Sequence, residues 1–313
     1  MTISHTLPRS LWLLLGALTL FWGFNWPMMK LALTELPVWS FRTLCILAGA
    51  VGLFSVARAQ GLRIRVPDGQ WKRLVWVSLF NITGWNMLVG YGVSVLPSGR
   101  SAILAYTMPM WTVVLSALFL REALTIRKTS GVILGMGGMA LLLGAEFAQM
   151  HASPTGALLI IGASVSWAIG TVIMKRFPID LPTTSFVAWQ LTLGGIPVIA
   201  GALLMDWGSW QPISHKATAG LLYNMLIASV FCHWAWFKIA TTAPASIAAL
   251  STMMIPVVGV FSGMLVLGEQ PHWQEYAALV LVTLALATVL IPARNQKPAT
   301  GEPPGPGQSG HAA

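Results

Sequence analysis

Nine stretches of this chain contain no aspartate, glutamate, lysine or arginine: residues 11–29, 74–99, 101–120, 129–145, 147–174, 181–205, 217–237, 239–268 and 276–293. A tenth, 38–57, is apolar apart from Arg42. An α-helix needs roughly 20 mostly apolar residues to cross the hydrocarbon core of a bilayer, and these stretches cluster at that length. Only 9% of the residues are charged, against about 25% in an average soluble domain. The expected fold is therefore an all-α polytopic membrane protein with ten transmembrane helices. The first stretch carries Trp22, Asn25, Trp26 and Pro27 toward its end and lacks a small-residue cleavage site, so it is expected as a retained helix rather than a signal peptide.

The net charge of +9 does not point to a nucleic-acid partner, because its distribution is topological. With the N-terminus placed in the cytoplasm, ten crossings put 14 of the 18 lysines and arginines in cytoplasmic segments, leaving Lys30, Arg100 and Lys216 outside and Arg42 within a span. That is the positive-inside asymmetry, and it predicts a multi-pass protein of the inner (plasma) membrane with both termini cytoplasmic. The two cysteines, Cys45 and Cys232, fall in apolar spans, as small buried hydrophobes do. No cofactor or metal site is expected. The tail is rich in Pro, Gly and small polar residues and cannot bury enough apolar surface to order itself.

The chain repeats itself. A shift of 145 residues aligns Trp22 with Trp167, Met29 with Met174, Lys30 with Lys175, Glu35 with Asp180, Ser40-Phe41 with Ser185-Phe186 and Gly49 with Gly194. A shift of 147 aligns Pro97 with Pro244, Pro109 with Pro256 and Glu122 with Glu269. Each repeat holds five spans, and an odd number turns the second copy upside down in the bilayer. Two inverted five-helix repeats around a central cavity can exchange conformations, opening that cavity to one side and then the other. The predicted organisation is a cytoplasmic N-terminus (1–10), a first repeat (11–147), an inverted second repeat (148–292) and a disordered cytoplasmic tail (293–313).

The segment Trp22-Gly23-Phe24-Asn25-Trp26-Pro27-Met28-Met29-Lys30 resembles the first-helix signature of the drug/metabolite transporter superfamily, EamA type. So does Leu120-Arg121-Glu122-Ala123-Leu124-Thr125 followed by Gly131, Gly135, Gly137 and Gly138, with Leu267-Gly268-Glu269-Gln270 at the matching place in the second half. Arg42 and Gln190 also stand at positions similar to that family's. The resemblance runs over about residues 11–292. It implies ten helices enclosing a cavity, and export of amino acids, other metabolites or drugs. The halves differ, since Gly170 replaces Asn25 and Val187 replaces Arg42, so the pocket is expected to be chemically lopsided.

A charged side chain within a span costs roughly 2.5–3.5 kcal/mol on insertion scales and so faces a cavity or a partner. Arg42 either holds a substrate carboxylate through its bidentate guanidinium or snorkels to the interface and pairs with Glu35 or lipid phosphate. Candidate cavity-lining residues are Asn25, Trp26, Arg42, Asn86, Tyr91, Tyr106, Trp167, Gln190, His233 and Trp236, polar or aromatic groups at membrane depth. Pro109 and Pro256 are candidate gating kinks, because proline removes a backbone donor in mid-span. Lys30 and Lys175 suit helix C-termini. Glu122 and Glu269 suit caps of the helices that follow them, with proton coupling as the alternative. The glycine-rich fifth span suggests close packing first and a homodimer second.

The expected function is a secondary-type transporter exporting small organic metabolites, amino acids or related carboxylates, with the bilayer as its surroundings and protons as a candidate coupling ion. Proton-coupled export of cationic drugs is an alternative, but it wants an embedded carboxylate and the first span has none. A membrane-embedded lipid-modifying enzyme would need a clustered acid, base or metal constellation. The six histidines are scattered, and no enzyme is expected.

Overall fold

A computed structural model describes residues 9–148, 154–242 and 245–290. The expectations for residues 1–8, for Pro244 and for the tail from 291 onward lie outside the described residues. The first repeat comprises α1 (Arg9–Leu33), α2 (Val38–Ala59), a third span built of α3 (Trp71–Ser78), the π-helical η1 (Leu79–Gly84) and α4 (Trp85–Val95), a fourth span of α5 (Ser98–Ala105) and α6 (Met108–Leu120), and α7 (Ile126–Ala148). The second comprises α8 (Pro154–Arg176), α9 (Thr183–Met205), a span of α10 (His215–Leu222), π-helical η2 (Tyr223–Cys232) and α11 (His233–Thr242), then α12 (Ala245–Leu267) and α13 (Trp273–Leu290). Among the described residues seven segments are long and apolar enough to cross a membrane, and α12 and α13 contain two shorter apolar stretches. Helices satisfy their backbone groups internally, which is what a span in lipid requires. Large apolar side chains point outward, among them Leu13, Leu118, Leu204 and Leu265. In water that exposure would be a fault; in lipid it is the normal contact surface.

The most extensive packings all join one repeat to the other: α7 with α13, α1 with α12, α2 with α9, and α8 with both α4 and α6. These pairings are two-fold related. The first span on the ninth matches the sixth on the fourth, while the second-on-seventh and fifth-on-tenth pairs map onto themselves. Small residues let backbones approach. A first side-chain carbon at Gly49 would stand 3.2 Å from Ser229 O in η2, and one at Gly194 would stand 2.6 Å from Ser78 O beside η1. Thr83 Oγ1, within η1, donates to Gly194 O at 2.6 Å. The equivalent glycines thus receive the two π-helices, whose wider turns break the α-helical register at matched places in both halves.

The glycines of the fifth span pack inside the chain. A carbon at Gly138 would lie 3.1 Å from Val282 Cγ2 and one at Gly135 would lie 2.5 Å from Met110 Cγ, while Gly137 and Gly144 face open space. The stripe from Gly131 to Gly138 is filled by α13 and α6, so a dimer through it would have to use the other face of α7.

The two candidate gating prolines part company. Pro109 is the second residue of α6, just after the break at Tyr106 and Thr107 that divides the fourth span, whereas Pro256 sits inside the uninterrupted α12. A proline in the first helical turn lacks a donor that would be unbonded anyway, so Pro109 starts a helix rather than kinking one.

Candidate functional site

Trp22, Asn25 and Met29 recur on α1 at helical spacing, and second-repeat residues and Arg42 meet that face. Trp22 packs edge-to-face on His233, ring centroids 5.7 Å apart, and 6.1 Å from Trp236. Asn25 Oδ1 is buried and accepts no hydrogen bond. Met29 receives Arg42: the guanidinium Nη2 lies 2.8 Å from Met29 Sδ. Trp26, on a different face, is buried in the core against Gly259 of α12 and belongs to helix packing.

Arg42 is buried, only 6% exposed. Gly90 of α4 makes room for it, since a side-chain carbon there would stand 3.4 Å from its Nε. That Nε has no hydrogen-bond partner among the described residues, and the cation lies over the face of Phe41, 5.3 Å from its ring centroid. Among the described residues no carboxylate meets it. The expected pairing with Glu35 does not form, because both oxygens of Glu35 are taken by Ser214, from its backbone N–H and its hydroxyl, each at 2.6 Å. Those two bonds hold the Glu35 carboxyl below the usual carboxylate range. A thioether is a weak acceptor and a ring face a partial substitute for an anion, so the guanidinium keeps most of its hydrogen-bonding capacity unused.

Asn86 and His233 are equivalent at a shift of 147, and each is the first polar side chain beyond a π-helix. Asn86 Nδ2 donates to Ile82 O at 2.9 Å, and His233 Nδ1 lies 3.0 Å from Ala228 O. Both fold back on carbonyls of the preceding π-turn. This role was not visible in the sequence, because a π-turn has no signature in composition. Trp167, the counterpart of Trp22, packs edge-to-face on Trp85 at 5.1 Å. The two equivalent tryptophans thus each meet a ring of the other repeat, though the partners His233 and Trp85 are not themselves equivalent. Gln190 is buried on α9. Tyr106 caps the end of α5 at the break in the fourth span. Tyr91 is 41% exposed on α4, away from this group. A separate cavity of about 440 Å³ opens between α2 and α9, lined by Thr43, Leu44, Ile199, Leu203, Trp207 and Trp210 among others.

At the membrane faces the acidic residues join the repeats rather than capping the helices that follow them. On the face bearing Lys30, Glu269 accepts from Ser98 N (2.6 Å), Ser98 Oγ (3.0 Å) and Gly99 N (3.1 Å), the first turn of α5. Asp206 accepts from Ser40 N and Oγ at 2.7 and 2.8 Å. Glu275 takes the Nε and a terminal nitrogen of Arg100 in a buried ion pair and also accepts from His272 N. Arg100, expected outside the spans, is thus a buried partner. On the opposite face Glu122 lies between Lys175 (3.2 Å) and Lys128 (3.4 Å), and Arg63 pairs with Asp180 at 2.8 Å, all of them partly exposed. Slight burial pushes the Glu122 carboxyl up, but the two ammonium groups outweigh it and hold it below the usual range.

Two copies of an EamA-like transporter family model match the chain, over residues 10–144 and 154–291. The chain belongs to the EamA-like transporter family. Being a transporter of that family, it is not an enzyme. It is 32% identical to YvbV, an uncharacterized transporter of Bacillus subtilis, over 92% of this chain and 93% of that one. It is 29% identical to YoaV of the same organism, over 81% of this chain and 87% of its relative. A Salmonella typhimurium protein named as a probable amino-acid metabolite efflux pump is 23% identical, over 85% and 89% of the two chains. A solved crystal structure superposes with a TM-score of 0.63 at 19% identity, covering 90% of this transporter and 96% of that chain, which shows a shared fold.

Proposed function

We propose that this transporter is a secondary carrier that exports small organic carboxylates, amino acids among them, by alternating access between its halves. The observation that carries the reading is Arg42: a guanidinium buried at membrane depth with a methionine sulfur and an aromatic face for company. Burying a cation without its counter-charge is costly, and a substrate carboxylate at Arg42 would relieve that cost while it is bound. Asn25, Tyr106, Trp167, Gln190, His233 and Trp236 are the proposed remainder of the cavity wall, with amides and aromatic faces to complement a zwitterion or an apolar side chain. The relatives named as probable amino-acid metabolite efflux pumps support the substrate class.

The proposed setting is an inner (plasma) membrane with both termini cytoplasmic, supported by the distribution of basic residues. The face bearing Lys30 is then the outer one. The proposed division at about residue 147 follows the internal repeat, and protons are the proposed coupling ion.

Transport by purified protein in liposomes, with labelled amino acids and related acids, tests this. Arg42→Gln should cut uptake of the carboxylate at least tenfold at equal protein incorporation, with Arg42→Lys intermediate. Uptake by Arg42→Gln equal to that of the unaltered protein would end the proposal.

A further inference from the structure

Glu122 and Glu269 are presented by the same backbone device in both halves. At the end of α6 Arg121 adopts a left-handed conformation (φ 55°) and Glu122 N reaches back to Ser116 O at 3.4 Å. At the end of α12 Gly268 does the same (φ 66°) and Glu269 N reaches Gly263 O at 3.3 Å. The pairs 121 and 268, 116 and 263, and 122 and 269 are each separated by 147 residues. The backbones match, so the difference between the two carboxylates lies in what surrounds them, Gly263 standing where the first repeat has Ser116.

That difference is large. Glu269 is seated on the N-terminus of α5 with three charge-assisted hydrogen bonds, where the helix dipole also favours an anion. Gly263 leaves the space: a side-chain carbon there would collide with Glu269 and lie 2.7 Å from Ser98 Oγ. Lys30 Nζ clasps the other side of the same turn, donating to Leu96 O at 2.6 Å and Ser94 O at 3.3 Å. The turn between α4 and α5 is therefore gripped by α1 on one side and by the second repeat on the other. Glu122, by contrast, pairs with lysine side chains 38% and 45% exposed. Exposed pairs contribute little, and salt screens them.

We infer that Glu269 is a gating latch: docked on the start of α5, it holds the Lys30 face shut in the empty transporter, while Glu122 leaves the Lys175 face the easier one to open. The inference rests on alternating access but on neither Arg42 nor the identity of the solute.

Double electron–electron resonance on the full chain in liposomes, without solute, tests it. Cys45 and Cys232, the two native cysteines, are replaced by alanine, and spin labels are placed at the exposed positions Val95 and His272. The unaltered latch should give one narrow distance. Glu269→Gln should add a second population several ångströms longer, Ser98→Ala a smaller fraction of the same population, and Glu122→Gln none. A single unlengthened distance in both Glu269→Gln and Ser98→Ala, or equal lengthening in Glu122→Gln, overturns the latch. If Glu269→Gln does not fold, Ser98→Ala alone decides. Transport surviving in Arg42→Gln would leave these distances unaffected, so the two proposals fail separately.

Discussion

Asn81 occupies the space of the side chain that Gly170 lacks. Gly170 on α8 is the counterpart of Asn25 on α1, and a first side-chain carbon built on it would collide with the Asn81 carboxamide. Asn81, in η1, is 2% exposed and its Oδ1 accepts no hydrogen bond. The first repeat thus buries two amide oxygens without a donor, Asn25 on its first helix and Asn81 in its π-turn. Gly170→Ala should destabilise the protein by about 1–3 kcal/mol, the usual penalty for overpacking. Asn81→Ala in the same chain should recover most of that loss in thermal unfolding. Additive losses would show that the two sites do not touch.

The buried ion pair between Arg100 and Glu275 ties α5 to α13 across the repeats, each side chain 6% exposed. Glu275→Gln leaves the guanidinium without its carboxylate, which costs on the order of 3–5 kcal/mol where a buried pair is broken. The expected result is a large fall in melting temperature. Replacing both partners, Arg100→Met with Glu275→Leu, should bring stability back toward that of the unaltered protein, because no charge is then stranded.

Arg121 holds a left-handed conformation that suits glycine better than any residue with a side chain, and its counterpart is Gly268. Arg121→Gly should therefore be neutral or stabilising by up to about 1 kcal/mol, whereas Gly268→Arg should destabilise. Thermal unfolding of both variants would check the sign.

Glu35 carries a pH dependence whose sign follows from Ser214. Its carboxyl is held below the ordinary range by the Ser214 hydroxyl and N–H. A group depressed in the folded state adds stability above its unfolded pKa of about 4.3 and loses it as pH falls through the folded value. At pH 7 Glu35→Gln should melt below the unaltered protein, and the gap should close as the buffer is brought below about pH 4. A constant gap down to pH 3 would show that the Ser214 contact carries no charge.

Packing of α7 on α13 predicts a contrast between two glycines of one helix. Gly138→Leu must displace Val282 and Ala278 and should cost about 1–3 kcal/mol. Gly144→Leu enters open space and should leave stability unchanged within about 0.5 kcal/mol. Equal effects in thermal unfolding would mean that α13 does not fill this stripe.

By itself the order of residues determined the number of crossings, the inverted repeat and the transporter family. Each depends on local composition or on internal similarity, which survive without knowledge of any contact: a charge-free run of twenty residues has no other stable home than lipid. Arg42 was also legible, because a charge in a span is conspicuous. Its partners were not. Met29 lies 13 positions away on another helix, and nothing in spacing favours a sulfur over Glu35, which the fold turns toward Ser214 instead. The acidic residues illustrate the same limit. Local chemistry suggests that Glu269 caps the helix after it, but a carboxylate serves whichever unpaired N–H groups stand nearest, and interlocking of the repeats brought the start of α5 there. The π-turns, the fate of Pro109 and the seat of Asn81 against Gly170 were decided by tertiary packing alone, where fractions of an ångström between backbones settle which atoms share a space.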